Sequence, residues 1–294
     1  TTTLDWKLQE EAEKIVAQGA ERNERLINAR NMALTAINPK NGDILAMVGS
    51  RDYFDIEHDG NFNVATALRQ PGSSFKPFVY ATAFKKGFTP DTVLFDVPTE
   101  FNPRCAPGGE ARPETNARSD DCYHPQNYDE KFRGPVTLRQ AIAQSLNVPS
   151  VKVLYLAGIE DSIRTAEDLG ISSLKARERF GLSLVLGGAE VSLYEMTSAF
   201  GVFANDGVLN TPSAILKVSA SDGRILEEKR ENPRPALDPE ITRTINDVLS
   251  DNDARIPVFQ PQSSLYFKDR KVAAKTGTTQ EYRDAWTIGY TPSL

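Results

Sequence analysis

The sequence predicts an α+β fold: one antiparallel sheet built from both ends of the chain, with helices packed on it. Three observations predict it. Strand-like runs lie near the start, at 32–37 and 44–48, and again at the end, at 271–277 and 284–290. Helical patterns occupy the middle of the chain. No internal repeat and no convincing linker divides the 294 residues, so 1–294 reads as a single domain long enough for a sizeable core.

Taken in order, the first element is a helix that Asp5 caps, with Leu8, Ala12, Ile15 and Val16 at helical spacing. Asn41-Gly42 marks a hairpin between the first two strands. Pro71-Gly72 is a turn, and a helix opens at Ser73. Pro77 is tolerated in its first turn, although it should push Lys76 away from helical angles. Residues 96–134 are rich in Pro, Gly, Asn and charge and read as a long elaborated loop. A helix from Thr137 carries Leu138, Ile142 and Leu146 on one side and is expected to stop at Pro149. Ser192 and Glu195 form a capping box ahead of Leu193, Met196, Phe200 and Phe203, with Gly207 as the stop. Asp238-Pro239 starts a helix with Ile241, Ile245, Val248 and Leu249.

Composition narrows the function. Net charge is −6, with acids and bases interleaved and no basic run, which disfavours nucleic-acid binding. No apolar stretch approaches the ~18 residues of a membrane span. The chain starts at Thr1 rather than Met, so any anchor or export signal is expected outside it. Cys105 and Cys122 share one polar loop, either as free thiols or as a disulfide worth about 3 kcal/mol on the chain-entropy account. A bridge would imply an oxidising compartment. A zinc site is not expected, because His124 is the only suitable ligand nearby, and no cofactor or metal is expected elsewhere. His58 reads as a solvated loop residue.

Three strings carry chemistry: Ser73-Ser74-Phe75-Lys76, then Ser145-Leu146-Asn147, then Lys275-Thr276-Gly277-Thr278. Residues at i and i+3 share a helical face, so Ser73 is a candidate nucleophile beside an amine that can take its proton. A serine at a helix start also sits among unpaired N–H groups that could hold an oxyanion. Ser145 and Asn147, two apart, can enter one cleft only where their helix has ended. Gly277 inside a strand marks a close approach by another backbone, and a peptide could lie along that edge. Each string alone is weak. Ser172-Ser173-Leu174-Lys175 and Ser250-Asp251-Asn252 repeat the first two patterns, the former in surface-like polar sequence and the latter at a polar helix end.

Wider context separates the strings from these repeats. Arg69-Gln70-Pro71-Gly72-Ser73-Ser74-Phe75-Lys76-Pro77-Phe78, Asn127-Tyr128, Gly134-Pro135-Val136-Thr137-Leu138-Arg139, Gln144-Ser145-Leu146-Asn147-Val148-Pro149, Leu186-Gly187-Gly188-Ala189-Glu190-Val191-Ser192 and Lys275-Thr276-Gly277-Thr278-Thr279 run through the chain. On these it resembles the transpeptidase domain of class A (bifunctional) penicillin-binding proteins. The resemblance implies a five-stranded-type antiparallel sheet with helices on both faces, as in penicillin-binding proteins and serine β-lactamases, here expected to be truncated at its C-terminal edge. It implies that Ser73 attacks the D-Ala-D-Ala carbonyl of a peptidoglycan stem peptide and that Lys76 activates it. Ser145 would relay a proton and Asn147 would orient Lys76 and substrate. Ser73 and Thr278 N–H groups would form the oxyanion hole. Lys275 would be catalytic as well, burial or its positive charge lowering the Lys76 amine, and with Thr276 and Thr278 it would hold the terminal carboxylate, Gly277 and Thr279 also lying against substrate. It also implies β-lactam acylation and an extracytoplasmic location, with a membrane anchor and a glycosyltransferase domain in the full-length protein. A D,D-carboxypeptidase or β-lactamase, and a β-lactam sensor, are the alternatives. Against the lactamase, Ala166 stands where such enzymes carry the glutamate that activates the deacylating water.

Overall fold

The structure, a computed structural model, describes residues 1–294 apart from the side chain of Gln280. It opens with helix α1 (Trp6–Ile27), whose Leu8 N–H donates to Asp5 Oδ1 at 3.1 Å as the sequence suggests. Ala12, Val16 and Ala20 face inward, whereas Ile15 is exposed. Strands β1 (Leu34–Ile37) and β2 (Ile44–Val48) form the expected antiparallel hairpin, with Gly42 at φ +75° in its loop.

Helix α2 (Lys76–Lys85) is the buried axis of the molecule. Every residue from Lys76 to Phe84 is buried, which explains why it shows no amphipathic stripe. Strands β3 (Val93–Asp96) and β4 (Gly134–Thr137) follow, then helices α3 (Leu138–Ala143), α4 (Asn147–Ala157) and α5 (Ile159–Asp168). The β3–β4 ladder pairs Asp96 with Gly134, so the polar excursion at 97–133 leaves and re-enters the fold through one antiparallel base. Within it Cys105 and Cys122 are joined by a disulfide.

Helix α6 (Leu193–Ala204) begins at the Ser192–Glu195 capping box and buries Met196, Phe200 and Phe203. Phe78 of α2 meets Phe200 edge-on at 5.6 Å and stacks on Phe203 at 5.8 Å. Short strands β5 (Val208–Leu209), β6 (Lys217–Ser219), β7 (Ile225–Glu228) and β8 (Arg234–Pro235) lead to helices α7 (Pro239–Leu249) and α8 (Asn252–Phe259). Strands β9 (Ala273–Thr278) and β10 (Ala285–Tyr290) close the chain as a second hairpin.

The mixed helix-and-strand class stands as expected, but the sheet differs in one respect. Among the described residues every ladder is two-stranded, and none joins β1–β2 to β9–β10. The two hairpins instead share a support, since both pack on α6. Tyr290 of β10 lies 5.9 Å from the Phe200 ring. Apolar burial against one helix thus brings the chain ends together without a hydrogen-bonded seam.

Two local expectations are corrected. The helix from Thr137 ends at Ala143, well before Pro149, which lies in the first turn of α4, where a proline costs no hydrogen bond. Lys76 keeps helical angles (φ −49°, ψ −42°) despite Pro77, and the chain tightens into a 3-10 turn over Gly72–Phe75 just ahead of it.

Candidate active site

Ser73 sits in that 3-10 turn, held between two backbones. On one side the Arg69 N–H and O pair with Val191. On the other the turn lies flat on β9. A Cβ on Gly277 would stand 2.1 Å from the Pro71 carbonyl oxygen, and one on Gly72, at φ +56°, 2.5 Å from that of Thr278. Only glycine permits this approach. Ser74 points inward, its hydroxyl donating to Pro71 O at 2.7 Å, while Ser73 is half-buried. Ser73 is therefore not a helix cap, and Phe75 and Phe78 anchor its turn in the core.

Ser145 occupies the break between α3 and α4. Its N–H donates to Ile142 O at 3.0 Å and the Leu146 N–H donates to Ala141 O at 2.8 Å, a Schellman closure. Ser145 takes the left-handed position of that motif, φ +59°, where glycine is usual. Such a conformation costs on the order of 1–3 kcal/mol and is typically kept at functional sites.

The break brings the three strings together. Lys76 Nζ donates to Ser145 O at 2.7 Å, Leu146 O at 3.0 Å and Asn147 Oδ1 at 2.9 Å, and lies 3.5 Å from Ser145 Oγ. Lys275 Nζ donates to the same Ser145 Oγ at 2.8 Å and to Thr276 O at 2.7 Å. Both lysines are buried, at 0% and 3% exposure, among oxygens that carry no formal charge. Burial pushes the Lys76 amine well below the ordinary lysine value, and the Lys275 charge pushes it further. Burial, and then Arg255, lower Lys275 to about 7. An amine in this condition is a competent base near neutral pH.

The other predicted residues are placed as follows. Gly277 is buried under Pro71, Thr276 is half-buried and Thr278 is exposed. Thr279 is buried and bonded within its own hairpin. Its hydroxyl accepts from the Asp284 N–H at 2.8 Å and its N–H donates to Asp284 O at 3.1 Å, so it closes the β9–β10 turn. The repeats fall elsewhere. Ser172 is exposed and donates to Glu195 Oε1 at 2.7 Å, and Ser250 ends α7 while Asp251 caps α8. Ala166 is fully buried in α5.

Sequence reasoning missed two supports. Asn127 Oδ1 accepts from the N–H groups of Asn147 and Val148 at 2.8 and 3.3 Å, satisfying the start of α4. Its Nδ2 donates to both oxygens of fully buried Asp96 at 2.9 Å. The signal was present, since Asn127 lies in a matched string, but its partner is 20 residues away. Arg255, buried behind β9, had no sequence signal at all. At the surface, Tyr128 and Tyr282 meet edge-on at 6.2 Å.

Comparison with known proteins shows the family of the chain. A family model described as penicillin binding protein transpeptidase domain matches residues 32–293. The chain belongs to that family. Penicillin-binding protein 1A of Aquifex aeolicus is 35% identical over 264 residues, covering 89% of this chain and 33% of that protein. Penicillin-binding protein 1A of Neisseria flavescens is 32% identical over 268 residues, covering 89% and 31%. The chain therefore spans about a third of these relatives. The crystal structure of penicillin-binding protein 1A from Haemophilus influenzae has a TM-score of 0.71 at 27% identity, covering 88% of this chain and 41% of that one. PonA1 from Mycobacterium tuberculosis, solved in complex with penicillin V, reaches 0.75 at 24% identity, covering 100% and 74%, which speaks to the fold alone.

Proposed function

We propose that this domain is a serine D,D-transpeptidase that crosslinks peptidoglycan stem peptides through an acyl-enzyme on Ser73, and that β-lactams acylate the same serine. The observation that carries the reading is the pair of buried, charge-depressed amines on one hydroxyl. Lys76 and Lys275 both reach Ser145 Oγ, beside the turn that presents Ser73.

The Ser73 oxygen attacks the carbonyl of the penultimate D-Ala, and its proton passes to neutral Lys76. The ammonium so formed finds three oxygens already in place, on Ser145, Leu146 and Asn147. The developing oxyanion is held by the N–H groups of Ser73 and Thr278, of which each such donor in other serine enzymes is worth about 3–4 kcal/mol. Collapse breaks the peptide C–N bond. The departing D-Ala nitrogen takes a proton from Ser145 Oγ, which is reprotonated from a lysine beside it. The amine of a second stem peptide then attacks the ester and returns Ser73 to its hydroxyl form. Lys275, Thr276 and Thr278 hold the substrate carboxylate, Gly277 lets the backbone approach, and Asn147 orients Lys76.

The disulfide suits an extracytoplasmic face of the bacterial inner membrane, the full-length protein being anchored there. Among the described residues no helix is long and apolar enough to cross a membrane. The test is incubation with a fluorescent penicillin, followed by peptide mass spectrometry and by D-Ala release from paired donor and acceptor peptides. A stable adduct on Ser73 together with acceptor-dependent D-Ala release is expected. An adduct elsewhere overturns the assignment. Rapid loss of the adduct points to the hydrolase, and an adduct without any transfer points to a sensor.

A further inference from the structure

We infer that Arg255 is a positioning residue for Lys275: its buried guanidinium grips β9 and sets a positive charge behind the Lys275 amine. The inference rests on the acyl-transfer reading above. Arg255 is 3% exposed. It donates to Leu265 O at 3.3 Å, to Ala274 O at 3.4 Å and to Leu249 O. These carbonyls belong to the end of α7, the segment ahead of β9, and the β9 residue adjoining Lys275. One planar, five-donor group thus ties together the three pieces that frame the strand.

All three acceptors are neutral. Asp251 is the carboxylate whose field reaches Arg255, but its oxygens are engaged by Arg139 at 3.0 Å and by the Ala254 N–H at 2.9 Å. Around Lys275 stand Lys76 from α2, Ser145 from the α3–α4 break, Arg255 from α8 and the strand's own Thr276 carbonyl. No carboxylate is among these neighbours. Burying a charge without a counter-charge is costly, and bracing carbonyls needs only a neutral donor. The charge itself acts forward. After burial, Arg255 is the cause that lowers Lys275, and Lys275 in turn lowers Lys76. A Lys275 that has lost its proton no longer lowers Lys76, so the effect of the Arg255 charge is read at Lys275 itself.

The experiment is NMR titration of 13C-labelled lysine, with β-lactam acylation at Ser73 followed beside it, in the unmodified domain, Arg255→Gln, Arg255→Met and Arg255→Lys. The neutral variants should move the Lys275 midpoint up by about one pH unit, while Arg255→Lys keeps the original midpoint. The acid limb of acylation, which reports Lys76, should not move up with it, because a more fully charged Lys275 lowers Lys76. In the unmodified protein Lys275 should titrate near 7, and that reading keeps the inference open to refutation if the neutral variants do not fold. An unmoved midpoint in the neutral variants, whatever their thermal stability, overturns the inference and leaves Arg255 a brace. So does a Lys275 that titrates near the ordinary 10.5. If the unmodified domain is not acylated at Ser73, the acyl-transfer reading fails, and this inference fails with it. Failure confined to the variants overturns this inference alone.

Discussion

Ser145 shows how a single residue is fixed by competing demands. Its left-handed backbone is strained, yet that turn is what lets its hydroxyl meet two lysines. Ser145→Gly should therefore raise stability in urea by about 1 kcal/mol, because glycine adopts positive φ freely, while acylation slows. Ser73→Ala should abolish penicillin labelling and Ser172→Ala should leave it intact; gel fluorescence distinguishes them. The lysines give a pH prediction. Lys275 is depressed to about 7, so between pH 7 and the ordinary 10.5 the unfolded chain binds more protons than the folded one. Stability from this group rises with pH across that window. The thermal midpoint of Lys275→Met should accordingly exceed that of the parent most near pH 7, with the gap closing toward pH 10. Acylation should fall as pH is lowered, since Lys76 must be neutral to accept the Ser73 proton.

At the scale of elements, the site depends on backbones that touch and on a helix start satisfied from outside. Gly277→Ala would place a methyl 2.1 Å from Pro71 O, so β9 and the Ser73 turn must part. Acylation should drop sharply, and the melting temperature should fall as well. Asn127→Ala strips the acceptor from the N–H groups of Asn147 and Val148 and leaves Asp96 buried without its amide partner. Such unsatisfied groups cost about 1–3 kcal/mol each, readable in a denaturant titration. Elements were legible where the signal was local. The Asp5 cap, the Ser192–Glu195 box and the Asn41-Gly42 hairpin all rest on contacts within a few residues. The α3–α4 break was misread because Pro149 is equally at home after a helix and inside the first turn of the next.

For the whole molecule, the aromatic stack of Phe78, Phe200, Phe203 and Tyr290 links the axial helix, α6 and the C-terminal hairpin. Phe200→Ala should cost about 3–5 kcal/mol in a chemical denaturation experiment and loosen β9 with it. Replacing both cysteines by serine should lower stability by about 3 kcal/mol if the loop unfolds with the domain. Because 97–133 also carries Gln126 and Asn127, which hold Asn147, the same change should slow acylation.

The sequence by itself determined the family, the Asn41-Gly42 hairpin and the helices capped at Asp5 and Ser192, and it marked the string from which the nucleophile is proposed. Those depend on short-range spacing and on side-chain types that chemistry permits in few combinations. Tertiary structure decided through which groups the charges face each other. That Lys76 and Lys275 share one hydroxyl, that Arg255 stands behind them, that Thr279 turns to its own loop, and that the two hairpins meet through α6 rather than a common ladder all follow from packing between residues far apart in the chain. Desolvation and Coulomb fields act through space, and spacing along a sequence does not record them.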